Sequence, residues 1–384
     1  ESERDKFFAD NIATLPMICS TILSFYPSFE FLIAFSIALI FLYVFEPAIS
    51  NFFENDSRGL EEYDLTRVCL GRMSDSRKQY RSSRPILTLV IPAYNEEDRL
   101  PCMLDKTLAH LIRSRDSIFR SCHFALGRRE QPTDELSSYS FEIIIVDDGS
   151  KDKTIEIVKS YLEKKIFGDK ILSEYSFLHF RLIALTLNSG KGAAIRAGIT
   201  RSNGELCLML DADGATSFDT GLELVLNQMR KTLDNETNFR VSIPGVVFGS
   251  RAHLKDESTA RRSKLRTFLM ISFHFFVKAL CTHRIHDTQC GFKLFSRESA
   301  IIIFTNLHLR RWAFDTELVI IAEKVGLSMS EVAVEWQEVD GSKLNSSKLN
   351  LALASIGMLR DMICVRLCYF LGIWKVRNFD KYAG

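Results

Sequence analysis

Asp211 and Asp213 stand one residue apart, directly after the five apolar residues Leu206 to Leu210. Such an apolar run is typical of a strand that is buried on both faces, so the two carboxylates are predicted at the end of a core strand. The pair can bind one hard cation, since Mg²⁺ typically takes one or two protein carboxylates and completes its coordination with water and substrate phosphate. The spacing therefore predicts a site for Mg²⁺ or Mn²⁺ that holds a diphosphate, although either aspartate alone could instead cap the following turn or helix.

Polar residues also follow three other apolar runs, which are Ile86 to Ile91, Phe141 to Val146 and Arg181 to Leu187. In an open parallel sheet, ligands bind outside the carboxyl ends of the strands, where such polar turns gather. We therefore expect one site that is built from the ends of all four strands. Its candidate residues are Pro92, Tyr94, Asn95, Glu96, Asp147, Asp148, Lys191, Asp211 and Asp213.

The elements that must position these residues repeat one order, which is apolar strand, polar turn and helix. Each of the four strands is too apolar to have a solvated face, so the sequence predicts an α/β fold with a mainly parallel sheet flanked by helices. Apolar residues at helical spacing predict one helix from about Asp152 and another that includes Ala194 and Ile199. The stretch from Arg113 to Ser140 is predicted to be an inserted loop outside the core.

The run from Phe31 to Phe45 carries no charge and lies between Glu30 and Glu46. It is shorter than the roughly 18 to 20 residues that span a bilayer, but flanking residues can extend it into the interface, and we expect a transmembrane anchor helix. A buried core helix and a cleaved signal peptide are the alternatives. Lysine and arginine are more frequent after this run than before it, which favours a main body on the cytosolic side.

Two later segments, Phe268 to Leu280 and Leu351 to Trp374, are apolar but interrupted by charges. Either one alone is equally consistent with an amphipathic helix packed on the sheet and with a helix in the membrane interface, and an anchor in the same chain favours the interface. The predicted organisation is an N-terminal membrane anchor at 1–49, a linker at 50–84, the main α/β domain at 85–345 and a C-terminal amphipathic or interfacial helical segment at 346–384.

Composition excludes several classes of protein. The formal net charge of +1 gives no reason to expect nucleic acid as a partner. Nine cysteines form no metal-type spacing and are predicted to be reduced thiols. No GxGxxG sequence opens a helix after a strand, and the segment LNSGKGAA has Gly192 where a phosphate loop needs serine or threonine. Nicotinamide oxidoreductases and phosphate-loop enzymes are therefore disfavoured.

Five motifs in this order carry a resemblance: PAYNEE, VDDGSKDKT, DADGAT, GSR and HDTQCGFKLF. Together they resemble the inverting family 2 glycosyltransferases of GT-A fold, over about Pro85 to Lys343. The resemblance is strongest to the members that transfer glucose from UDP-glucose to dolichyl phosphate at the cytosolic face of the endoplasmic reticulum membrane. It therefore implies UDP-glucose, dolichyl phosphate and the lipid bilayer as partners. The alternatives are a sister enzyme that uses GDP-mannose or another nucleotide sugar, and a non-enzymatic scaffold, which the two intact aspartates disfavour.

The resemblance also implies roles for single residues. The expected nucleotide-sugar site comprises Pro92, Tyr94, Glu96, Val146, Asp148, Lys191, Asp211, Ala212, Asp213, Arg251 and Asp315. The expected catalytic residues are Asp211, Asp213, Arg251, Gln289 and Lys343, with Arg261 or Arg262 as further candidates to neutralise phosphate. Gln289, Asp287 and Asp315 are expected to bind sugar hydroxyls. Gln337 stands where the related mannose synthases have arginine, which favours a donor other than GDP-mannose.

Overall fold

The protein is described by a computed structural model that covers residues 29–53, 60–64, 84–128, 139–165, 177–234, 245–251, 276–278, 281–339 and 348–377. The chain divides into two compact units, of which the first ends at Phe53 and the second begins at Glu54. In the first unit, helix α1 (Phe29–Phe53) contains the apolar run that was predicted as an anchor. No helix in the described part of the chain combines the length and the apolar character that a membrane crossing requires.

One mixed sheet forms the centre of the second unit. Its strands are β1 (Leu60–Asp64), β2 (Arg84–Ala93), β3 (Tyr139–Asp147), β4 (Leu178–Leu185), β5 (Leu206–Leu210), β6 (Gly245–Ser250), β7 (Phe292–Ser296) and β8 (Ser328–Ala333). They lie in the order β1-β4-β3-β2-β5-β7-β6-β8. The four predicted strands, β2 to β5, are confirmed and parallel to one another.

As expected, most strands run in one direction, but β1 and β7 run the other way, so the sheet is mixed. Strand β7 is antiparallel to both β5 and β6, and β1 is antiparallel to β4, while β6 and β8 are parallel. Because β6 ends and β7 begins at the edge where β5 ends, Arg251 and the segment before β7 lie at the same edge as Asp211. Strand β1 comes from the range that was predicted to be linker.

Helices pack on both sides of this sheet. They are α2 (Leu100–Arg113), α3 (Arg115–Ala125), α4 (Thr154–Lys165), α5 (Lys191–Arg201), α6 (Phe218–Asp234), α7 (Arg297–Asn306), α8 (Phe314–Val325) and α9 (Lys348–Phe370). The two helices predicted from spacing are α4 and α5. Helix α5 lies unusually close to the sheet, since a Cβ atom at Gly198 would come within 2.4 Å of Val90 Cγ1 and 2.9 Å of Val146 Cγ2.

The inserted loop predicted from Arg113 to Ser140 is wrong in its first part. Helix α3 occupies residues 115–125, and its Ile118, Phe119 and Cys122 are buried in the hydrophobic core. These residues recur at helical spacing, but the charged residues among them hid the pattern. Residues 129–138 of this stretch lie outside the described residues.

Helix α9 has one buried face and one exposed face. Cys364 and Cys368 are buried, and the hydroxyl of Tyr369 donates a hydrogen bond to Glu317 Oε1 at 3.2 Å, which ties α9 to α8. Leu353 and Ile356 on the same helix are exposed. None of the seven cysteines in the described ranges forms a disulfide bond. Most of the segment from residue 268 to 280 lies outside the described residues.

Candidate active site

Asp211 and Asp213 lie where β5 ends, as predicted. The backbone N–H of Asp211 donates to the Gly291 carbonyl at 3.2 Å, which extends the pairing of β5 with β7 by one residue. The Asp211 carboxylate fills the space above Gly291, because a Cβ atom there would lie 1.9 Å from Asp211 Oδ2. Asp213 Oδ1 accepts the N–H of Ala215 at 3.0 Å, so one of the two aspartates also caps the turn.

A lysine is paired with the first aspartate. Lys191 opens α5, and its Nζ is 2.6 Å from Asp211 Oδ1. Burial alone would lower the pKa of Lys191, but the nearby carboxylates, first Asp211 and then Asp315, outweigh burial and raise it. Burial, followed by the charge of Asp211, raises the pKa of Asp213. The neighbouring carboxylates thus repel each other, and additional positive charge would stabilise them.

The donor set at this strand end suits Mg²⁺ or Mn²⁺. Both side chains offer oxygen, the ligand type that these cations prefer, whereas zinc sites are rich in sulfur and nitrogen. The described ranges contain no group of three or more histidine, cysteine, aspartate or glutamate side chains placed to share a metal ion. If a cation binds at this strand end, Asp211 and Asp213 would be its protein ligands, and water and diphosphate oxygens would complete the coordination.

The turns after β2 and β3 are joined by reciprocal hydrogen bonds. The N–H of Asn95 donates to Ser150 Oγ at 2.8 Å, and the N–H of Lys151 donates to Asn95 Oδ1 at 2.7 Å. Asn95 has a φ of 52°, a conformation that asparagine tolerates better than most residues. The Glu96 carboxylate pairs with Arg99 at 2.7 and 2.6 Å. These contacts fix the positions of the residues after β2, and the positive charge of Arg99 partly opposes the rise in the pKa of Asp213 that burial and Asp211 cause.

Asp148 holds the loop that carries Lys191. Its two carboxylate oxygens accept the N–H groups of Ser189 and Gly190 at 2.7 and 2.9 Å. Gly190 has a φ of 99°, and a Cβ atom there would lie 2.6 Å from the Arg310 carbonyl oxygen, so only glycine fits. The nucleotide contact implied for Asp148 stays a prediction, and the contact seen is with the backbone. Pro92 and Val146 are register partners on β2 and β3, and Val146 is fully buried.

Arg251 and Asp287 form a bidentate pair across the edge of the sheet. The guanidinium Nε and Nη2 atoms lie 2.7 and 2.8 Å from the Asp287 oxygens, and the backbone N–H of Arg251 adds a third bond at 2.9 Å. Burial would raise the pKa of Asp287, but Arg251 outweighs it and lowers that pKa to about 2. Glu331 on β8 accepts the N–H of Asp287 at 2.8 Å, and the Trp336 ring lies 5.5 Å from the Arg251 guanidinium. Asp287, which was expected to bind a sugar hydroxyl, thus positions Arg251.

The remaining predicted residues fall in three places. Gln289 lies next to the Asp287 pair, and its Nε2 is buried and has no hydrogen-bond partner within the described ranges, which suits it to a ligand. Asp315 is buried on α8 and paired with Lys293 at 2.6 Å, so it lies under the site. Ala212 is buried between the two aspartates. Lys343, Arg261 and Arg262 lie outside the described residues.

Gln337 lies beside the turn that holds Asp213. Its backbone N–H donates to the Ala215 carbonyl at 2.8 Å, and Trp336 forms an antiparallel bridge with Thr216. The position at which the related mannose synthases have arginine is therefore next to the proposed metal ligands. The side chain of Gln337 is exposed at that place.

Three contributors were missed from the sequence. Arg99 follows Glu96 by three residues, a spacing that predicts an ion pair on a helical turn. Lys293 was visible as one charged residue within the apolar strand Phe292–Ser296. Glu331, which supports Asp287 from β8, carries no signal in the sequence because its partner lies 44 residues away.

Comparison with known proteins gives a consistent result. A family model described as glycosyl transferase family 2 matches residues 88–304. A dolichyl-phosphate beta-glucosyltransferase of Dictyostelium discoideum is 43% identical over 293 residues, which cover 76% of this chain and 77% of that relative. The protein of the same name from Homo sapiens is 41% identical over 296 residues, 77% of this chain and 79% of that relative.

Solved structures show only a slight likeness. A glucosyl-3-phosphoglycerate synthase from Mycobacterium tuberculosis, in complex with uridine diphosphate, covers 74% of this chain and 82% of its own chain. The sequence identity is 14% and the TM-score is 0.43.

Proposed function

The chain belongs to glycosyl transferase family 2, and we propose that it transfers glucose from UDP-glucose to dolichyl phosphate with inversion. The product is dolichyl β-D-glucosyl phosphate, a donor for protein N-glycosylation. The family assignment rests on a model that matches more than half of the chain and on relatives above 30% identity over three quarters of it.

The geometry around Asp211 is the observation that carries the proposal. Two aspartates, Lys191 and Arg251 gather at the carboxyl edge of the sheet, with Lys191 at the N-terminus of α5. Arg251 follows the end of β6, which lies at the same edge of the sheet as the end of β5. Cations beside a carboxylate pair, with a helix N-terminus directed at them, suit a nucleoside diphosphate and its metal ion.

The proposed reaction is an in-line displacement at the anomeric carbon. A bond forms from an acceptor phosphate oxygen to C1 on one face of the sugar, while the bond from C1 to UDP breaks on the other face and its electron pair leaves with UDP. Mg²⁺ or Mn²⁺ bound by Asp211 and Asp213 would supply a Lewis acid for the leaving diphosphate. Lys191, held by Asp148 through its loop, adds a fixed positive charge beside the same group.

The acceptor side needs positive charge more than it needs a base. A phosphate monoester has a second pKa of about 6, so dolichyl phosphate carries nearly two negative charges at neutral pH and is already a nucleophile. The protein must bring this anion close to another anion. Arg251, fixed by two bonds to Asp287, is positioned to lower their mutual repulsion, and we assign the same role to Lys343. We assign the Gln289 amide to a donor sugar hydroxyl.

The acceptor also explains exposed apolar residues in both units. Transfer of a polyisoprenoid into water costs about 0.8 kcal/mol for each CH₂ group, so the reaction has to take place at a bilayer surface. Ile37, Ile40 and Phe41 on α1 are more than half exposed, and Phe370 at the end of α9 is 82% exposed. We therefore propose attachment to the endoplasmic reticulum membrane, with the catalytic unit on the cytosolic side.

The direct test is product identification. The detergent-purified protein is incubated with dolichyl phosphate, Mg²⁺ or Mn²⁺, and each of a panel of UDP- and GDP-sugars in turn. Mass spectrometry identifies the lipid product, and NMR of its anomeric signal gives the configuration. We expect a glucosyl lipid of β configuration from UDP-glucose. A mannosyl product from GDP-mannose, or retention of the α configuration, would contradict the proposal.

A further inference from the structure

Lys293 is the second residue of β7 and is fully buried, an uncommon environment for lysine. Its Nζ donates to Asp315 Oδ1 at 2.6 Å and to the Cys290 carbonyl oxygen at 2.7 Å. The side chain of Asp315 is only 3% exposed, so neither member of the pair is solvated. Buried ion pairs seldom stabilise a fold more than apolar residues of similar volume do. Stability alone therefore does not account for this lysine.

The register of the sheet places Lys293 below the metal site. Lys293 is the partner of Met209 across β5 and β7. Residues two apart on a strand share a face, so Asp211 lies on the same face of the sheet as Met209 and Lys293. The hydrogen bond from Asp211 N–H to the Gly291 carbonyl shows that the strand pairing reaches this far.

Lys191 stands between the two acidic groups. Its Nζ lies 2.6 Å from Asp211 Oδ1, and the start of α5 packs against the start of α8, because a Cβ atom on Gly192 would lie 2.8 Å from Phe314 Cβ, next to Asp315. Burial raises the pKa of Asp315, whereas Lys293 and then Lys191 act in the opposite direction. The four residues thus form a series of alternating charge, Lys293, Asp315, Lys191 and Asp211, which ends at the metal site.

We infer that Lys293 is a positioning residue, which neutralises Asp315 and so keeps Lys191 paired with Asp211 and available to the donor diphosphate. Without Lys293, Asp315 would be a buried carboxylate without its hydrogen-bonded cation, a state that is strongly unfavourable. The ammonium group of Lys191, at the neighbouring helix end, would be attracted towards this carboxylate and shift away from Asp211. The diphosphate subsite would lose the positive charge that the start of α5 provides there.

A purely structural role makes a different prediction. Lys293 also holds the Cys290 carbonyl, so its loss could loosen the segment that carries Asp287 and Gln289. If the hydrogen bond to the Cys290 carbonyl is the role of Lys293, removing the charge of Asp315 as well would not restore the site. If the role of Lys293 is charge balance, removing both charges should restore the site, because no buried carboxylate then attracts Lys191 away from Asp211.

The experiment is a double-mutant cycle of Lys293→Met and Asp315→Asn, with Lys231→Met on α6 as the control for loss of an exposed lysine. UDP affinity is measured by calorimetry with Mn²⁺, and thermal unfolding is measured in chelator. We expect Lys293→Met to weaken UDP binding by about tenfold or more and to lower the melting temperature by about 5 to 10 °C. The double variant should bind UDP within about threefold of wild type and regain most of the melting temperature. The control should change neither quantity.

Two results would overturn the inference. One is wild-type UDP affinity in Lys293→Met, and the other is a double variant that binds UDP as weakly as Lys293→Met does. If Lys293→Met does not fold, the double variant decides: folding with near wild-type UDP affinity supports charge balance, and failure to fold contradicts it. The choice of UDP as the probe rests on the proposed function, whereas the thermal-unfolding measurement needs no ligand. Absence of UDP binding by the wild type would contradict the proposed function, while the unfolding cycle would still test whether Lys293 balances Asp315.

Discussion

Substitution of Asp213 by asparagine tests the proposed chemistry with little change of shape. Asparagine keeps the Oδ1 atom that accepts the Ala215 N–H, so the turn after β5 should persist. The change removes one negative charge from the cation site. At an effective dielectric constant of about 20, two unit charges about 4 Å apart interact by about 4 kcal/mol, which corresponds to about 10³ in rate. Loss of one well-placed electrostatic group in other enzymes costs about 10² to 10³, so we expect a decrease in that range.

The same substitution should not destabilise the protein when metal is absent. Burial and Asp211 raise the pKa of Asp213, so the fold favours its neutral form and loses stability as the pH rises through that pKa. At neutral pH in chelator, Asp213→Asn should therefore unfold at the wild-type temperature or higher.

The assay is glucosyl transfer to dolichyl phosphate over a titration of Mg²⁺ and of Mn²⁺. Asp98→Asn, which changes an exposed carboxylate after β2, is the matched control and should retain full activity. Wild-type turnover with unchanged metal dependence in Asp213→Asn would refute the metal role and leave Asp213 as a turn-capping residue.

Three further substitutions or deletions extend the test. Gly291→Ala should reduce transfer at least about tenfold, because the added Cβ atom would lie 1.9 Å from Asp211 Oδ2. The control Gly357→Ala on α9 adds a Cβ atom that meets nothing within 4 Å, so it should leave activity unchanged. Equal effects of the two substitutions would contradict the packing argument. Asp287→Asn should remove about 2 kcal/mol of stability at neutral pH, because the pKa of Asp287 is about 2 in the fold against an ordinary 3.8. That stability is present above about pH 4 and is lost as the pH falls towards 2. The unfolding temperatures of the wild type and of Asp287→Asn should therefore converge on acidification. A difference between the two temperatures that does not change with pH would contradict this prediction. Deletion of the residues before Ser50 should weaken membrane association but not abolish it, and complete recovery in the soluble fraction without detergent would show that α9 does not bind the interface.

The four parallel strands β2 to β5 were predictable from local sequence patterns. The four strands β2 to β5 are continuous apolar runs, which are typical of strands with helices on both faces. Strand β7 was not predicted because Phe292–Ser296 is short and contains Lys293. Its antiparallel direction depends on where the chain re-enters the sheet, and no local pattern specifies that. Helix α3 was missed because its charged residues mask the spacing of its buried face.

The site was predictable where its residues follow strands and less so where they act through partners. Asp211, Asp213 and Lys191 meet as their positions after strands predict. Asp287 has the motif position of a ligand-binding residue, but in the fold it is bound to Arg251. That pairing joins residues 36 positions apart, at the end of β6 and before the start of the antiparallel strand β7, an arrangement that the sequence does not specify.

Competition between donors tests the central claim most directly. Equimolar UDP-glucose and GDP-mannose are supplied together with dolichyl phosphate and metal ion, and mass spectrometry measures the ratio of glucosyl to mannosyl lipid. A site that hydrogen-bonds its proper donor can reject a mismatched one by about 10⁴ or more, and we predict an excess of glucosyl lipid of at least about 10². Equal amounts of the two lipids, or an excess of the mannosyl lipid, would contradict the account.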